Sequence, residues 1–240
     1  MGETQLNHPP SKEQVANFYE EHQKRGRYDY LYGDEERRDM LVRLVGKSQR
    51  VLDIGCRAGN LTKHYCGGND VVGVDVDRRA LEIFRETLGL EARWLDVDVE
   101  PLPFEDASFD VVVFTEVMEH LRFPHRALAE IRRVLKPTGR LIGSVPNAFR
   151  LRNRLRFLIG KPFDTDPSHL RLYSAPLIQQ ALGRQFQTVK IYPVSGHLLG
   201  GGRYGIPVFS WLPFSIRALF CLDLVFVAHA PPCPPMQRAP

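Results

Sequence analysis

The run "VLDIGCRAGN", residues 51–60, ends in a turn of small residues that includes Gly55 and Gly59. A turn of this kind, followed at once by a helix, presents free backbone N–H groups that attract a carboxylate or a phosphate. About twenty residues further on, a second strand-like run ends in an acid, Asp75. A carboxylate at this spacing can accept hydrogen bonds from both hydroxyls of a ribose. The turn and the acid together predict a nucleoside-binding site.

The residues of the turn limit which nucleoside-containing ligands this site could bind. A dinucleotide-binding turn, G-x-G-x-x-G, that began at Gly55 would need glycines where the chain has Arg57 and Asn60. Asp53, just before the turn, would repel a pyrophosphate and attract an ammonium group. The phosphate-binding motif G-x-x-x-x-G-K-[ST] is absent as well. A ligand that combines adenosine, an ammonium group and a carboxylate without phosphate fits these residues, and S-adenosylmethionine is such a ligand.

The elements around this site alternate between short apolar strands and amphipathic helices. The predicted strands include "VLDIG", "VVGVD", "ARWLDV", "DVVVFT", "RLIGSV", "TVKIYPV" and "LDLVFVAHA". The predicted helices include "NLTKHYC", "RRALEIFRETL", "HRALAEIRRVL" and "APLIQQALGRQF", and a capping box of Ser11 and Gln14 predicts another near the N-terminus. This alternation predicts an α/β fold, a doubly wound, mostly parallel, seven-stranded Rossmann-like sheet with helices on both faces.

The length and the composition indicate a single globular domain. The chain has 240 residues, 43% of them hydrophobic and 25% charged, with a net charge of +4, which disfavours both a disordered and a membrane-embedded protein. We expect one domain over 1–230, followed by a disordered tail at 231–240. Its predicted parts are an N-terminal helical cap (1–48), a cofactor-binding half (49–147), a basic and apolar lid insertion (148–172) and a C-terminal half (173–230).

The N-terminal residues do not resemble a secretory signal, so we expect a cytoplasmic protein. The four cysteines, Cys56, Cys66, Cys221 and Cys233, show no C-x-x-C pair and no spacing typical of zinc or of a disulfide framework. We therefore expect reduced cysteines, and we predict no metal site.

Four motifs in order resemble one known family. They are "VLDIGCRAGN", "VVGVDVDRRAL", "DVEPLPFEDASFDVVVFTEVMEHL" and "LAEIRRVLKPTGRLIGSVPN". Together they are similar to the class I S-adenosylmethionine-dependent methyltransferases with a type 11 methyltransferase domain, which include enzymes of quinone biosynthesis. The resemblance covers about residues 50–147 and, more loosely, "HLRLYSAPLIQQAL". It implies S-adenosylmethionine as the cofactor.

The resemblance also implies roles for single residues. The methionine portion of the cofactor would lie against Asp53, Gly55, Cys56 and Gly59. The ribose would bind Asp75, and the adenine would contact Val76, Asp98 and Val99, with Asp96 in place of Asp98 if the register slips by two. The sulfonium pocket would be lined by Phe114, Thr115 and Glu116, with His120 one helical turn on. Arg57 departs from the family, which most often has glycine there.

We expect the reaction to be in-line transfer of a methyl group to a small, apolar or lipid-like acceptor, with O- or C-methylation. A base would help if the acceptor is a hydroxyl or an acidic carbon, and the candidates are His169, His120 and Glu116. Two alternatives stay open. One is a binding or regulatory subunit that keeps the fold without turnover, and the more distant one is an NAD-dependent oxidoreductase.

Arginines 150, 152, 154 and 156 alternate with Leu151, Leu155 and Phe157. A solvated helix face is the commoner explanation of such a pattern. The sharper interpretations are a surface that binds an anionic substrate, or a peripheral membrane contact through 148–160 and 205–220. We expect an apolar small-molecule acceptor with a negative group and, because no broad basic stripe is present, no nucleic acid partner.

Overall fold

The computed structural model describes residues 10–23, 28, 35–162, 166, 168–195, 197–199, 206–207 and 211–230. The helices are α1 (Lys12–Gln23), α2 (Glu35–Val45), α3 (Arg78–Leu88), α4 (Pro124–Val134), α5 (Leu151–Leu158), α6 (Ala175–Leu182) and α7 (Phe214–Phe220). The strands are β1 (Arg50–Ile54), β2 (Asp70–Asp75), β3 (Glu91–Trp94), β4 (Phe109–Thr115), β5 (Leu135–Pro146), β6 (Thr188–Val194), β7 (His197–Leu199), β8 (Ile206–Pro207) and β9 (Asp223–His229). Two short 3-10 turns cover Thr62–His64 and Met118–His120.

The main sheet has seven strands in the order β3-β2-β1-β4-β5-β9-β6. The pairs among β1 to β5 are parallel, whereas β9 is antiparallel to both of its neighbours, β5 and β6. The predicted seven-stranded, mostly parallel, doubly wound sheet is therefore confirmed. The carboxyl ends of β1, β2 and β4 lie side by side, so the residues that follow these strands share one edge of the sheet.

Alternate residues of the central strands face opposite layers of helices. Val111 and Val113 of β4 belong to a buried cluster that also contains Leu41 of α2. Val112 of β4 instead belongs to a cluster that contains Ile131 of α4. Because both faces of the sheet are covered, its strands read in the sequence as continuous apolar runs.

The helix ends agree with the local sequence signals in two places. The N–H of Ser11 donates to Gln14 Oε1 at 2.7 Å and the N–H of Gln14 donates to Ser11 Oγ at 3.3 Å, which confirms the predicted capping box. Asp77 caps α3 by accepting the N–H of Ala80 at 3.0 Å.

One predicted helix does not form, and the remaining predictions concern the C-terminal residues and the cysteines. The segment "NLTKHYC" forms only a 3-10 turn, because Thr62 and Tyr65 turn inward and donate to the buried carboxylate of Asp53. Helix α7 precedes the last strand, and the whole predicted tail 231–240 lies outside the described residues. Cys56, Cys66 and Cys221 are free thiols, as predicted. Among the described residues, no helix is long and apolar enough to cross a bilayer.

The close packing of β5 against β9 leads to a prediction about stability at Gly143. A Cβ atom there would lie 2.3 Å from Phe226 Cζ and 2.4 Å from the backbone oxygen of Phe114. We expect Gly143→Ala to lower the free energy of unfolding by about 1–3 kcal/mol, because the neighbouring strand backbone cannot move aside. Urea unfolding followed by circular dichroism measures this change. Gly67→Ala is the control, since no atom lies within 4 Å of a Cβ at Gly67, and an equal loss in both variants would contradict the prediction.

Candidate active site

A cavity of about 960 Å³ lies at the carboxyl edge of the sheet, between the ends of the strands, α1, Asp166 and residues 168–170. Its walls carry more acidic than basic side chains. The acidic ones are Asp75, Asp77, Asp96, Asp98, Glu116, Glu119 and Asp166, and the basic ones are Arg37, Arg57 and Arg122. A wall of this composition favours a positively charged ligand.

The turn after β1 forms one side of the cavity and brings backbone close to any ligand. Gly55 has a φ of 77°, and a Cβ there would lie 2.3 Å from Val117 Cγ2. Arg57 also adopts the left-handed region, with a φ of 49°, and the residue lines the cavity. Its backbone N–H donates to Asp75 Oδ2 at 2.8 Å. The arginine therefore takes the backbone conformation that the glycine of related turns allows, and the turn stays intact.

Asp75 ends β2 and is buried at the floor of the cavity. Besides the bond from Arg57, its carboxylate accepts the N–H of Asp77 at 2.9 Å. Burial raises the pKa of Asp75 to about 6, although the two backbone donors oppose the shift. The carboxylate is therefore ionised at neutral pH and close to its titration range.

Two further acids, Asp96 and Asp98, follow β3 and line the same cavity. Asp98 accepts three hydrogen bonds from the 3-10 turn region: from the N–H and Nε of Arg122 at 3.1 and 2.7 Å, and from the N–H of Phe123 at 2.7 Å. One oxygen of Asp96 accepts the N–H of Asp98 at 3.0 Å. Burial raises the pKa of Asp96 above its usual value.

Glu116, directly after β4, is held in an unusual backbone conformation. Its φ is 54°, in the region that non-glycine residues rarely adopt. Its carboxylate lies 2.9 Å from the guanidinium of Arg37, and it accepts a hydrogen bond from Ser144 Oγ at 2.7 Å. Arg37, which comes from α2, is only 5% exposed. Such strain at a buried ion pair is typical of residues whose side-chain direction matters for function.

One turn further on, Glu119 and His120 meet the segment that contains His169. The rings of His120 and His169 lie 4.9 Å apart between centroids. Burial lowers the pKa of His120, so its ring is neutral at neutral pH. Burial, followed by the charge of Glu116, raises the pKa of Glu119 well above its usual range. Glu119, His120 and His169 all line the cavity.

The comparison with protein families identifies the central part of the chain. Residues 52–143 match the family model described as a methyltransferase domain. The chain contains a class I S-adenosylmethionine-dependent methyltransferase domain. S-adenosylmethionine is therefore the cofactor of this methyltransferase domain.

Individual relatives agree with this assignment. The demethylmenaquinone methyltransferase of Thermus thermophilus is 37% identical over 112 residues, which are 44% of this chain and 51% of that protein. The ubiquinone biosynthesis O-methyltransferase of Nitrosococcus oceani is 32% identical over 160 residues, 61% of this chain and 66% of that protein. The chain spans about half the length of the curated relatives that it matches.

A solved structure shows the same fold over nearly the whole chain. The S-adenosylmethionine-dependent methyltransferase of Thermotoga maritima has a TM-score of 0.62 and 22% sequence identity. The superposition covers 91% of this chain and 96% of that one. The fold of the methyltransferase domain therefore continues through the C-terminal half of the chain.

The structure brings most of the sequence-predicted site residues to the cavity of the methyltransferase domain. Those that line it are Gly55, Cys56, Asp75, Val76, Asp96, Asp98, Thr115, Glu116, His120 and His169. They come from four separate strand ends and from the segment after α5, so the sheet order is what assembles them.

Four predicted residues do not line the cavity. The carboxylate of Asp53 turns away from it and accepts hydrogen bonds from Thr62 Oγ1 at 2.6 Å and Tyr65 Oη at 2.5 Å. Gly59 packs against α3, where a Cβ would lie 2.5 Å from Leu88. The side chain of Phe114 is fully buried in the core, and that of Val99 is directed to solvent. Asp53 and Gly59 thus stabilise the turn through contacts outside the cavity.

Arg37 and Tyr19 are among the cavity-lining residues that the sequence prediction missed. Tyr19 of α1 packs edge-on against His120, with ring centroids 5.9 Å apart. Helix α1 is fixed over the cavity by Lys12, whose ammonium group lies 2.6 Å from Glu100 and 3.7 Å from the centre of the Trp94 ring. The helical spacing of Val15, Phe18 and Tyr19 was visible in the sequence, but it did not show which surface they cover.

The raised pKa of Asp75 predicts how cofactor affinity depends on pH. Ribose hydroxyls donate hydrogen bonds, so they favour the ionised carboxylate, and ionisation falls as the pH drops through about 6. We expect the affinity for S-adenosylhomocysteine to rise about tenfold from pH 5 to pH 7 and then level off. Isothermal titration calorimetry across this range measures it.

The matched variant is Asp75→Asn, which should bind about 10–100-fold more weakly at pH 7 and lose most of the pH dependence. Asp70→Asn, at the exposed start of the same strand, serves as the control. An Asp75→Asn protein that keeps the affinity and the pH profile of the wild type would exclude Asp75 as the ribose ligand.

Proposed function

We propose that the protein transfers the methyl group of S-adenosylmethionine, by in-line displacement, to an oxygen or carbon atom of a small acceptor that has an apolar body and a negatively charged group. The observation that supports this most is a second pocket that continues from the catalytic end of the cofactor cavity. The name of the relative from Nitrosococcus oceani, an O-methyltransferase, supports oxygen as the methylated atom.

The second pocket has a volume of about 220 Å³ and shares Glu119, Pro146 and His169 with the cofactor cavity. Arg150 and Arg171 contribute positive charge to its wall, and Leu172, Tyr173 and Leu222 contribute apolar surface. An acceptor in this pocket would place its negative group near the two arginines. Its reacting atom would then lie near Glu119 and His169, where the two cavities meet.

Half of the residues that line this pocket belong to the predicted insertion, residues 148–172. We propose that the insertion provides the acceptor specificity while 49–147 binds the cofactor. The wider division of 1–230 into a cap, two halves and an insertion stays a prediction.

We further propose which groups hold each part of the cofactor. The ribose binds Asp75, the methionine portion lies along Gly55 and Cys56, and the adenine lies against Val76. Of the two candidate acids for the adenine amino group we favour Asp96, because Asp98 already accepts three hydrogen bonds within the protein.

The chemistry needs little more than alignment, because a sulfonium is already a strong electrophile. The protein must hold the acceptor in line with the methyl group and exclude water. The acceptor oxygen or carbon supplies the electron pair, the S–C bond breaks, and S-adenosylhomocysteine leaves. The candidates for a base that acts on the acceptor are Glu116, His120 and His169, and general-base assistance contributes about 10²–10⁴-fold. The neutral His120 ring suits this task better than an imidazolium would.

The arginines of the second pocket predict that one substitution weakens binding of the acceptor without weakening binding of the cofactor. We expect Arg150→Gln to raise the KM for an anionic acceptor about 10–100-fold, because a charge-assisted hydrogen bond is lost. The KM for S-adenosylmethionine should stay unchanged. Steady-state assays with labelled cofactor measure both constants, and Arg152→Gln, exposed in the first turn of α5, is the control. Methylation of only neutral, strongly polar acceptors in a screen would contradict the proposed acceptor class.

We also propose that α5 and α7 contact an anionic membrane surface. Helix α5 packs against α7, and both expose large apolar side chains. Phe157, Leu158 and Ile159 are 69%, 76% and 67% exposed, and Trp211 is 77% exposed. Exposed arginines, Arg152 and Arg154, lie on α5 together with Phe157 and Leu158. Apolar side chains beside arginines are typical of helices that lie in a membrane interface.

Vesicle binding tests this surface. We expect Leu158→Gln to weaken binding to vesicles of phosphatidylcholine with phosphatidylserine roughly tenfold, because apolar area then stays in water. Co-sedimentation measures the bound fraction, and Leu177→Gln, an exposed apolar residue on α6, is the control. Equal binding of wild type and Leu158→Gln, or no binding by either, would refute the membrane contact.

A further inference from the structure

Three potential metal ligands converge where the two cavities meet. One ligand atom from each of Glu119, His120 and His169 lies within 4.8 Å of the others. Bonds of about 2.0–2.2 Å from a central cation would bring such atoms somewhat closer together. Small side-chain rotations are therefore enough to form a three-ligand site.

The carboxylate of Glu119 is buried without a hydrogen-bond donor among the described residues. The residue is 1% exposed, and neither of its oxygens has a hydrogen-bond partner in the described part of the chain. The nearby guanidinium of Arg37 is engaged with Glu116 at 2.9 Å. A buried carboxylate without donors is costly, and a bound cation is one of the few ways to satisfy it.

His120 is oriented as a metal ligand would be. Its Nδ1 lies 3.1 Å from the backbone oxygen of Ser168, and since a carbonyl can only accept, Nδ1 carries the proton. The other nitrogen, Nε2, then has a lone pair, and it lies 3.9 Å from Glu119 Oε1. When Glu119 is ionised, two acceptor atoms therefore face each other at a distance too long for a hydrogen bond. A cation between them removes this mismatch, and a backbone carbonyl on the far nitrogen is the usual outer-shell partner of a metal-bound histidine.

The segment that contains His169 is fixed to the turn that contains the other two residues. The N–H groups of Leu170 and Arg171 both donate to the backbone oxygen of Glu119, at 2.9 and 3.0 Å. The guanidinium of Arg171 donates to the carbonyls of Leu121 and Arg122. The three ligands are thus held together by backbone contacts that do not depend on the cation.

We propose that Glu119, His120 and His169 bind a divalent cation of the first-row metals, such as Mn²⁺ or Zn²⁺, with its open coordination positions directed to the acceptor. Two imidazole nitrogens with one carboxylate form a donor set that suits these cations better than Ca²⁺ or Mg²⁺. Glu116, three residues before Glu119, lines the same cavity.

The role of the cation rests on the proposed function. A hydroxyl of the acceptor that binds the cation loses its proton to water more readily than a free hydroxyl. The resulting oxygen anion forms the new O–C bond with the methyl group, while the S–C electron pair stays on sulfur. The inference thereby narrows the methylated atom to oxygen. His120 and His169 would then act as ligands of the cation and would not themselves remove the proton.

Binding of Mn²⁺ alone tests the site without any acceptor. We expect chelator-treated wild-type protein to bind one Mn²⁺ per chain, seen as loss of the free-ion signal in electron paramagnetic resonance. Glu119→Gln and His169→Ala should each weaken binding by more than the roughly 10–100-fold typical of a lost outer-shell partner. His125→Ala, an exposed histidine outside the cavity, is the matched control and should bind Mn²⁺ like the wild type.

Pulsed resonance spectra of wild-type protein with Mn²⁺ provide a measurement that needs no variant. They should show hyperfine coupling to imidazole nitrogen, and its absence would overturn the proposal even if the variants failed to fold. Wild-type protein that binds no Mn²⁺ or Zn²⁺, or unchanged binding in both ligand variants, would overturn it as well.

S-adenosylhomocysteine binding, measured in the same samples, separates this inference from the proposed function. Metal-free protein should still bind S-adenosylhomocysteine but transfer methyl groups far more slowly until Mn²⁺ or Zn²⁺ is returned. If S-adenosylhomocysteine binds and no cation does, the metal site is wrong while the methyltransferase proposal stands. If the cation binds and S-adenosylhomocysteine does not, the proposed function fails and the metal site stands.

Discussion

The buried carboxylate of Asp75 joins the two turns on which the cofactor cavity depends. It accepts the N–H of Arg57 from the turn after β1 and the N–H of Asp77 at the start of α3. The parallel pairing of β1 with β2 brings these groups together, and the N–H of Gly55 reinforces it by donating to the carbonyl of Val74 at 2.8 Å. Because water is largely excluded there, these bonds hold the turn and the acid in one geometry before any ligand binds.

The predictable parts of the fold are those whose signals are local. The apolar runs of the strands, the helical spacing in α3 and α4, and the capping box of Ser11 and Gln14 depend only on neighbouring residues, and the structure has all of them. The glycine turn and Asp75 are predictable for a related reason, since adjacent parallel strands end at the same edge. The side-chain direction of Asp53 was not predictable in this way. Its orientation depends on Thr62 and Tyr65, whose segment looked like a helix in the sequence.

The remaining part of the site depends on contacts between distant segments. Arg37 lies in a strongly charged stretch that resembles a solvated helix, and only the packing of α2 beside β5 shows that it is buried against Glu116. His120 and His169 are far apart in the sequence, so their spacing matches no metal-binding motif. Their proximity follows from the hydrogen bonds of Leu170 and Arg171 to the backbone of Glu119. Tyr19 reaches the same place because Lys12 fixes α1 to the end of β3.

The acidic wall of the cavity has a consequence for turnover. The cofactor enters with a positively charged sulfonium and leaves as a neutral thioether, so each reaction removes one positive charge from a region where carboxylates outnumber arginines. Electrostatic attraction is strong in such a partly enclosed site, and the wall attracts the reactant more than the product. The same carboxylates that help to retain the cofactor therefore favour exchange of spent cofactor for fresh cofactor. The charge of the wall thus limits inhibition by the product without any movement of the backbone.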